Sequence, residues 1–126
     1  MRRLAAPCAL LVLAAGCGGS DDGGGGRTVT TAPGTTVTVD AHEYSFDPGG
    51  LVVQRSGALT IKLRNKGDLA HNLRVTRDGK EIGGTPSFAP GGTRSARLTL
   101  ARGKYEFLCT VGDHADLGMK GELEVK

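Results

Sequence analysis

The chain has 126 residues, 38% of them hydrophobic and 23% charged, which is enough for one compact domain with a packed core. Its formal net charge of +3 is mild, and no basic stripe interleaves with aromatics, so nucleic-acid binding has no support. Aromatics are only 4% and Trp is absent, so the core must rest on Val, Leu, Ile and Ala.

Met1-Arg2-Arg3 is a positive start, and Leu4 to Ala15 is an apolar stretch too short to span a bilayer comfortably. It ends in Leu13-Ala14-Ala15-Gly16-Cys17, which resembles a bacterial lipobox. On that reading residues 1–16 are a signal peptide and Cys17 carries lipid; the plainer alternative is an ordinary signal peptide with an incidental Cys. Cys8 lies inside the apolar stretch and would leave with it. Gly18 to Gly26 is Gly-rich, with Ser20, Asp21 and Asp22, and has the composition of a flexible linker. The Thr-rich run from Thr28, with Pro33, reads as its continuation, giving a linker over 17–35 and a folded domain over 36–126. A lipoprotein Cys carries more than one acyl chain, which favours stable anchoring at the outer face of a cell membrane or in a periplasm.

Past residue 36 the apolar residues alternate with a period of two, the signature of strands with one buried face. Val37 and Val39 open the pattern, followed by Tyr44 and Phe46, then Leu51 and Val53, then Leu59, Ile61 and Leu63. His71, Leu73 and Val75 share one parity. So do Ala96, Leu98 and Leu100, then Tyr105, Phe107 and Cys109, then Met119, Gly121, Leu123 and Val125. Turn signals separate the runs: Asp47-Pro48-Gly49-Gly50, Lys66-Gly67-Asp68, Asp78-Gly79, Pro90-Gly91-Gly92 and Arg102-Gly103. About eight short strands without a helical period predict an all-β sandwich with Greek-key connections.

Cys109 is the one thiol of the predicted domain. In an exported protein a lone Cys is a free thiol, an intermolecular partner or a ligand, and its neighbours choose among these. His114 follows five residues later and Met119 five after that, so one loop can bring three donors of graded softness to a point. His71, at the start of its own inward-facing strand, supplies a fourth. Taken singly, His71 would read as a strand-end histidine, Met119 as core filler and Cys109 as a buried hydrophobe. Together, two imidazoles, a thiolate and a thioether form the set that suits copper cycling between Cu(I) and Cu(II). Met is a poor zinc ligand, which disfavours zinc. His42 has the outward parity and reads as a surface residue.

The pieces Tyr44-Ser45-Phe46-Asp47-Pro48, Leu63-Arg64-Asn65-Lys66-Gly67 and Leu69-Ala70-His71-Asn72 resemble the cupredoxin family. The most specific match is Tyr105-x-Phe107-x-Cys109-x4-His114-x4-Met119-Lys120-Gly121. The family comprises small blue-copper proteins of the plastocyanin and azurin type, and the resemblance runs from Thr36 to Lys126. It implies a Greek-key sandwich with one copper near one end, held by His71, Cys109, His114 and Met119, with one His edge reaching the surface. It further implies that Asn72 ties the two ligand loops together and that Thr110 is its hydroxyl partner beside Cys109. Many relatives have Pro-Gly before the loop His, where this chain has Gly112-Asp113. An acidic side chain beside His114 would favour the oxidised, more positive copper.

The leading functional expectation is one-electron transfer by a monomer that is not an enzyme. Leu69, Ala115, Leu117 and Gly118 would form an apolar docking patch around His114 for brief encounters with a cytochrome, an oxidase or a reductase. The alternative is copper delivery or scavenging with the same ligands. A third reading, an interaction module that has lost its metal, conflicts with the full ligand set.

Overall fold

The structure, a computed structural model, describes residues 26–126. The signal segment, the lipidation candidate Cys17 and the linker up to residue 25 lie outside the described residues. Every regular element described is a strand, in the order β1 (Thr28–Thr31), β2 (Thr36–His42), β3 (Ser45–Asp47), β4 (Gly50–Val53), β5 (Gly57–Asn65), β6 (Arg74–Arg77), β7 (Lys80–Gly84), β8 (Thr93–Leu100), β9 (Gly103–Leu108) and β10 (Lys120–Val125). One sheet runs β1-β4-β10-β9-β6-β7 and the other β3-β2-β5-β8.

The alternation predicts which face is buried. Val37, Val39 and Ala41 of β2 are buried, as are Leu59, Ile61 and Leu63 of β5 and Ala96, Leu98 and Leu100 of β8. Tyr105, Phe107, Leu123 and Val125 face them from the other sheet. Each aliphatic or Phe side chain so buried contributes about 1.5–3 kcal/mol, and these terms hold the two sheets together. Gly121 matters in this packing, because a Cβ there would collide with the Phe107 ring and lie 2.5 Å from the Gly49 carbonyl oxygen. The ring of Phe107 therefore lies directly on the β10 backbone. Tyr105 adds a polar tie, its hydroxyl donating to the Ala101 carbonyl at 2.7 Å while Arg77 donates to it at 3.1 Å.

β1 departs from the sequence expectation. The Thr-rich run reads as linker, yet Thr28–Thr31 pairs in parallel with β4, from Thr28 opposite Gly50 to Thr31 opposite Val53. Only Val29 of this strand packs against the core, so the apolar alternation that marks the other strands is missing. Branched Thr side chains suit a pleated strand, and the backbone pairing supplies the rest. The folded part therefore begins by Thr28 rather than at residue 36. With the short β3, β1 also brings the strands among the described residues to ten rather than about eight.

Candidate metal centre

β9 delivers Cys109 to one end of the sandwich, and β10 leaves from the same end. The two strands pair antiparallel from Lys120 opposite Leu108 onward. The loop between them closes where the Cys109 N–H donates to the Met119 carbonyl at 3.1 Å. Inside it the chain folds into tight turns: His114 N–H donates to Val111 O, Leu117 N–H to Asp113 O, and Met119 N–H to His114 O, each at 3.1 Å. These bonds turn His114 inward, so that it is only 7% exposed, while Cys109 and Met119 are fully buried.

His71 arrives differently from expectation. It does not lie on β6 but three residues ahead of it, in an isolated β-bridge with Phe88. The bridge is reciprocal, His71 N–H to Phe88 O at 3.3 Å and Phe88 N–H to His71 O at 3.1 Å. His71 is fully buried. Its Nδ1 lies 3.9 Å from Cys109 Sγ, and His114 Nδ1 lies 3.5 Å from the same sulfur. All three donor atoms fall within 4.8 Å of one another. The two imidazole rings are 5.0 Å apart between centroids, and Tyr44 packs on His114 at 5.1 Å. Two nitrogens and a sulfur this close, with a buried thioether residue closing the same loop, fit one metal ion. This mixed-softness set matches copper better than a hard cation, which needs oxygen ligands.

Asn72 and Thr110 join the two donor-bearing segments. Asn72 Nδ2 donates to Thr110 Oγ1 at 2.8 Å, and the Thr110 N–H donates to Asn72 Oδ1 at 2.8 Å. Leu69 and Leu117 are 44% and 51% exposed, Gly118 is exposed and Ala115 is half-buried. The last three lie on the turns that carry His114, and Leu69 sits two residues before His71. His42 is exposed, and so is Asp113.

Two site residues escape sequence reasoning. Glu43 Oε1 lies 2.9 Å from His71 Nε2 and accepts the N–H groups of Asp68 and Leu69, each at 2.8 Å. Burial opposes ionisation of this carboxyl. The bonds from Leu69, His71 and Asp68 outweigh it and hold Glu43 down to about 2. Asn65 is buried at the end of β5, donating from Nδ2 to Leu69 O at 2.9 Å and to Phe88 O at 3.0 Å while its Oδ1 accepts Gly67 N–H at 3.0 Å. Glu43 lies one residue past β2 on the odd positions that bury Val37, Val39 and Ala41, but it is itself exposed, so the alternation does not single it out.

The family model described as copper binding proteins, plastocyanin/azurin family, matches residues 33–126. No curated protein matches the sequence. Among solved structures, auracyanin from Roseiflexus castenholzii is similar at 22% identity, over 75% of this chain and 98% of its own, with a TM-score of 0.66. Auracyanin A from Chloroflexus aurantiacus, described as a blue copper protein, is 21% identical over 73% of this chain and 98% of its own, with a TM-score of 0.65. Rusticyanin from Thiobacillus ferrooxidans is 20% identical over 79% of this chain and 82% of its own, with a TM-score of 0.65. At these identities the likeness is one of fold.

Proposed function

Because the chain belongs to the plastocyanin/azurin family of copper-binding proteins, we propose that it is a type 1 (blue) copper protein carrying single electrons at the outer face of a bacterial membrane. The observation that carries this reading is the convergence of His71 Nδ1, His114 Nδ1 and Cys109 Sγ within 4.8 Å in a buried setting. Bound copper would supply reversible one-electron exchange between Cu(II) and Cu(I). His71 and His114 supply the nitrogens that suit the oxidised ion, and Cys109 and Met119 the sulfurs that suit the reduced one. The Asn72–Thr110 bonds and the Cys109–Met119 closure hold both donor segments in place, so little protein movement accompanies a change of charge.

Exposed Leu69 and Leu117 flank the donor residues and support transient docking of a cytochrome, an oxidase or a reductase to the chain as a monomer. Strand direction favours a partner in the same membrane. β1 and β4 run parallel to β10, which starts at the donor end, so the chain enters the domain at that end too. If Cys17 carries the lipid, nine peptide steps separate it from Gly26. That length reaches at most about 30 Å and would keep the donor end close to the membrane surface.

The test is to load the purified protein with Cu(II) and record its visible spectrum through cycles of reduction and oxidation. An intense thiolate-to-copper absorption, reversible on cycling and lost in Cys109→Ser, is expected. Its absence would overturn the reading. Rapid loss of copper to a mild chelator would favour delivery over electron carriage.

A further inference from the structure

We propose that Glu43 is the positioning residue of this centre, fixing His71 as the Nε2–H tautomer with a bare Nδ1 turned to Cys109, and biasing the site toward the oxidised metal by its charge. The tautomer half stands on the protein alone, and the bias half rests on the copper reading above.

The hydrogen-bond directions give the tautomer. Glu43 Oε1 receives the backbone N–H groups of Asp68 and Leu69, each at 2.8 Å, and a backbone N–H can only donate. An oxygen engaged in this way is an acceptor. Its third contact, to His71 Nε2 at 2.9 Å, is therefore an N–H donated by the imidazole. A neutral imidazole carries one proton, so with Nε2 protonated the lone pair sits on Nδ1. Nδ1 is the atom that faces Cys109 Sγ at 3.9 Å. The other tautomer would point a proton at the metal position and remove a donor.

The carboxylate is held in place rather than free to swing. It bridges the end of β2 to the 66–69 loop, and Asn65 grips that loop from its other side through Leu69 O and Gly67 N–H. Gly67 makes room for it, because a Cβ there would sit 2.6 Å from Glu43 Oε2. The Glu43 side chain is a quarter exposed, whereas His71 is fully buried, so the charge acts on the imidazole through a poorly screened path. A carboxylate bonded to a ligand imidazole raises its basicity, which favours the more positive metal state.

The experiment uses imidazole 15N NMR on the metal-free protein at about pH 8, above the ordinary histidine range, followed by potentiometry of the copper-loaded protein. Wild type, Glu43→Gln and Glu43→Leu are compared. Wild-type His71 is expected as the Nε2–H form, and E43L as a mixture of tautomers. E43Q keeps an acceptor oxygen and so keeps the tautomer. It loses the charge, so the preference for Cu(II) over Cu(I) is expected to fall about tenfold, a rise in potential of about 59 mV. A role limited to clamping the loop would alter stability and leave the E43Q potential where it was. An Nδ1–H His71 in wild type, an unchanged tautomer in E43L, or an unchanged potential in E43Q overturns the proposal. A protein with the expected tautomers that forms no blue complex would support the positioning half and overturn the electron-carrier reading instead.

Discussion

The Asn72–Thr110 pair offers a test of how the donor segments are joined that needs no metal. The two residues are 38 positions apart and exchange two hydrogen bonds, each 2.8 Å long. A typical intramolecular hydrogen bond contributes about 1 kcal/mol net, so Asn72→Ala should cost about 2 kcal/mol. Thr110 is exposed, so water can reach its freed N–H, and the larger penalty for a buried orphan donor does not apply. Thr110→Val removes only the hydroxyl acceptor and should cost about 1 kcal/mol. In the double variant the shared bond is lost only once, so a double-mutant cycle should show a coupling of about 1 kcal/mol. The assay is urea unfolding of the metal-free protein, because bound metal would add its own stabilisation. The melting temperature of N72A should fall by roughly 8–16 °C, at about 4–8 °C per kcal/mol for a domain of this size. A cost for N72A under about 0.5 kcal/mol, or a coupling within about 0.3 kcal/mol of zero, would refute the claim that this pair binds the two segments together.

Phe107→Ala should destabilise the fold by about 3–5 kcal/mol, because its ring is fully buried between Phe46 and the bare backbone of Gly121; chemical denaturation reads this directly, and a loss under about 1 kcal/mol would contradict the packing described. The Arg64 side chain donates to Asp40 and holds its carboxyl below the usual value of 3.8. A depressed folded-state pKa means that the unfolded chain binds protons first. The stabilisation is thus complete above about pH 4 and lost as pH falls below it toward the folded value. As a partly exposed pair it contributes only about 0.2–1 kcal/mol, and Asp40→Asn should flatten that acid limb in unfolding curves measured from about pH 5 downward; an acid limb identical to wild type would count against it. Asp113→Asn should raise the potential of the copper-loaded protein by less than E43Q does, because Asp113 is exposed and screened by water. An equal or larger rise would mean that the neighbouring charge outweighs the direct bond between Glu43 and His71.

Much of this architecture is legible in the sequence because each main strand buries one face. The parity of Leu59, Ile61 and Leu63, or of Tyr105, Phe107 and Cys109, is enough to orient the strand. The close spacing of Cys109, His114 and Met119 locates a loop that the backbone closes on itself. The features that escape depend on polar contacts between distant segments. Glu43 is 25 residues from Asp68 and 28 from His71, and nothing local announces that one oxygen will serve both. The alternation also changes phase at Glu43, with Ala41 buried before it and Phe46 after it, so the acid falls where parity gives contradictory readings. β1 escapes for a different reason. It is an edge strand held by backbone pairing, and composition alone does not separate a Thr-rich strand from a Thr-rich linker.

Each donor residue has its own anchor in the protein, and the anchors come from different directions. The Phe88 bridge fixes the backbone of His71 and Glu43 fixes its ring; β9 carries Cys109, Val111 O holds the backbone of His114, and the pairing with Cys109 holds Met119. A donor set ordered in this way has already lost most of the conformational freedom that binding a metal would otherwise remove, which favours tight retention. For His71 the constraint extends to the ring itself, since moving it would break the bond to Glu43. Tight retention suits an electron carrier better than a delivery protein, which must release its ion. The donors are buried, whereas the turns that carry His114 expose Leu117 at 51%. The exposed rim and the buried His114 are thus presented by the same short loop.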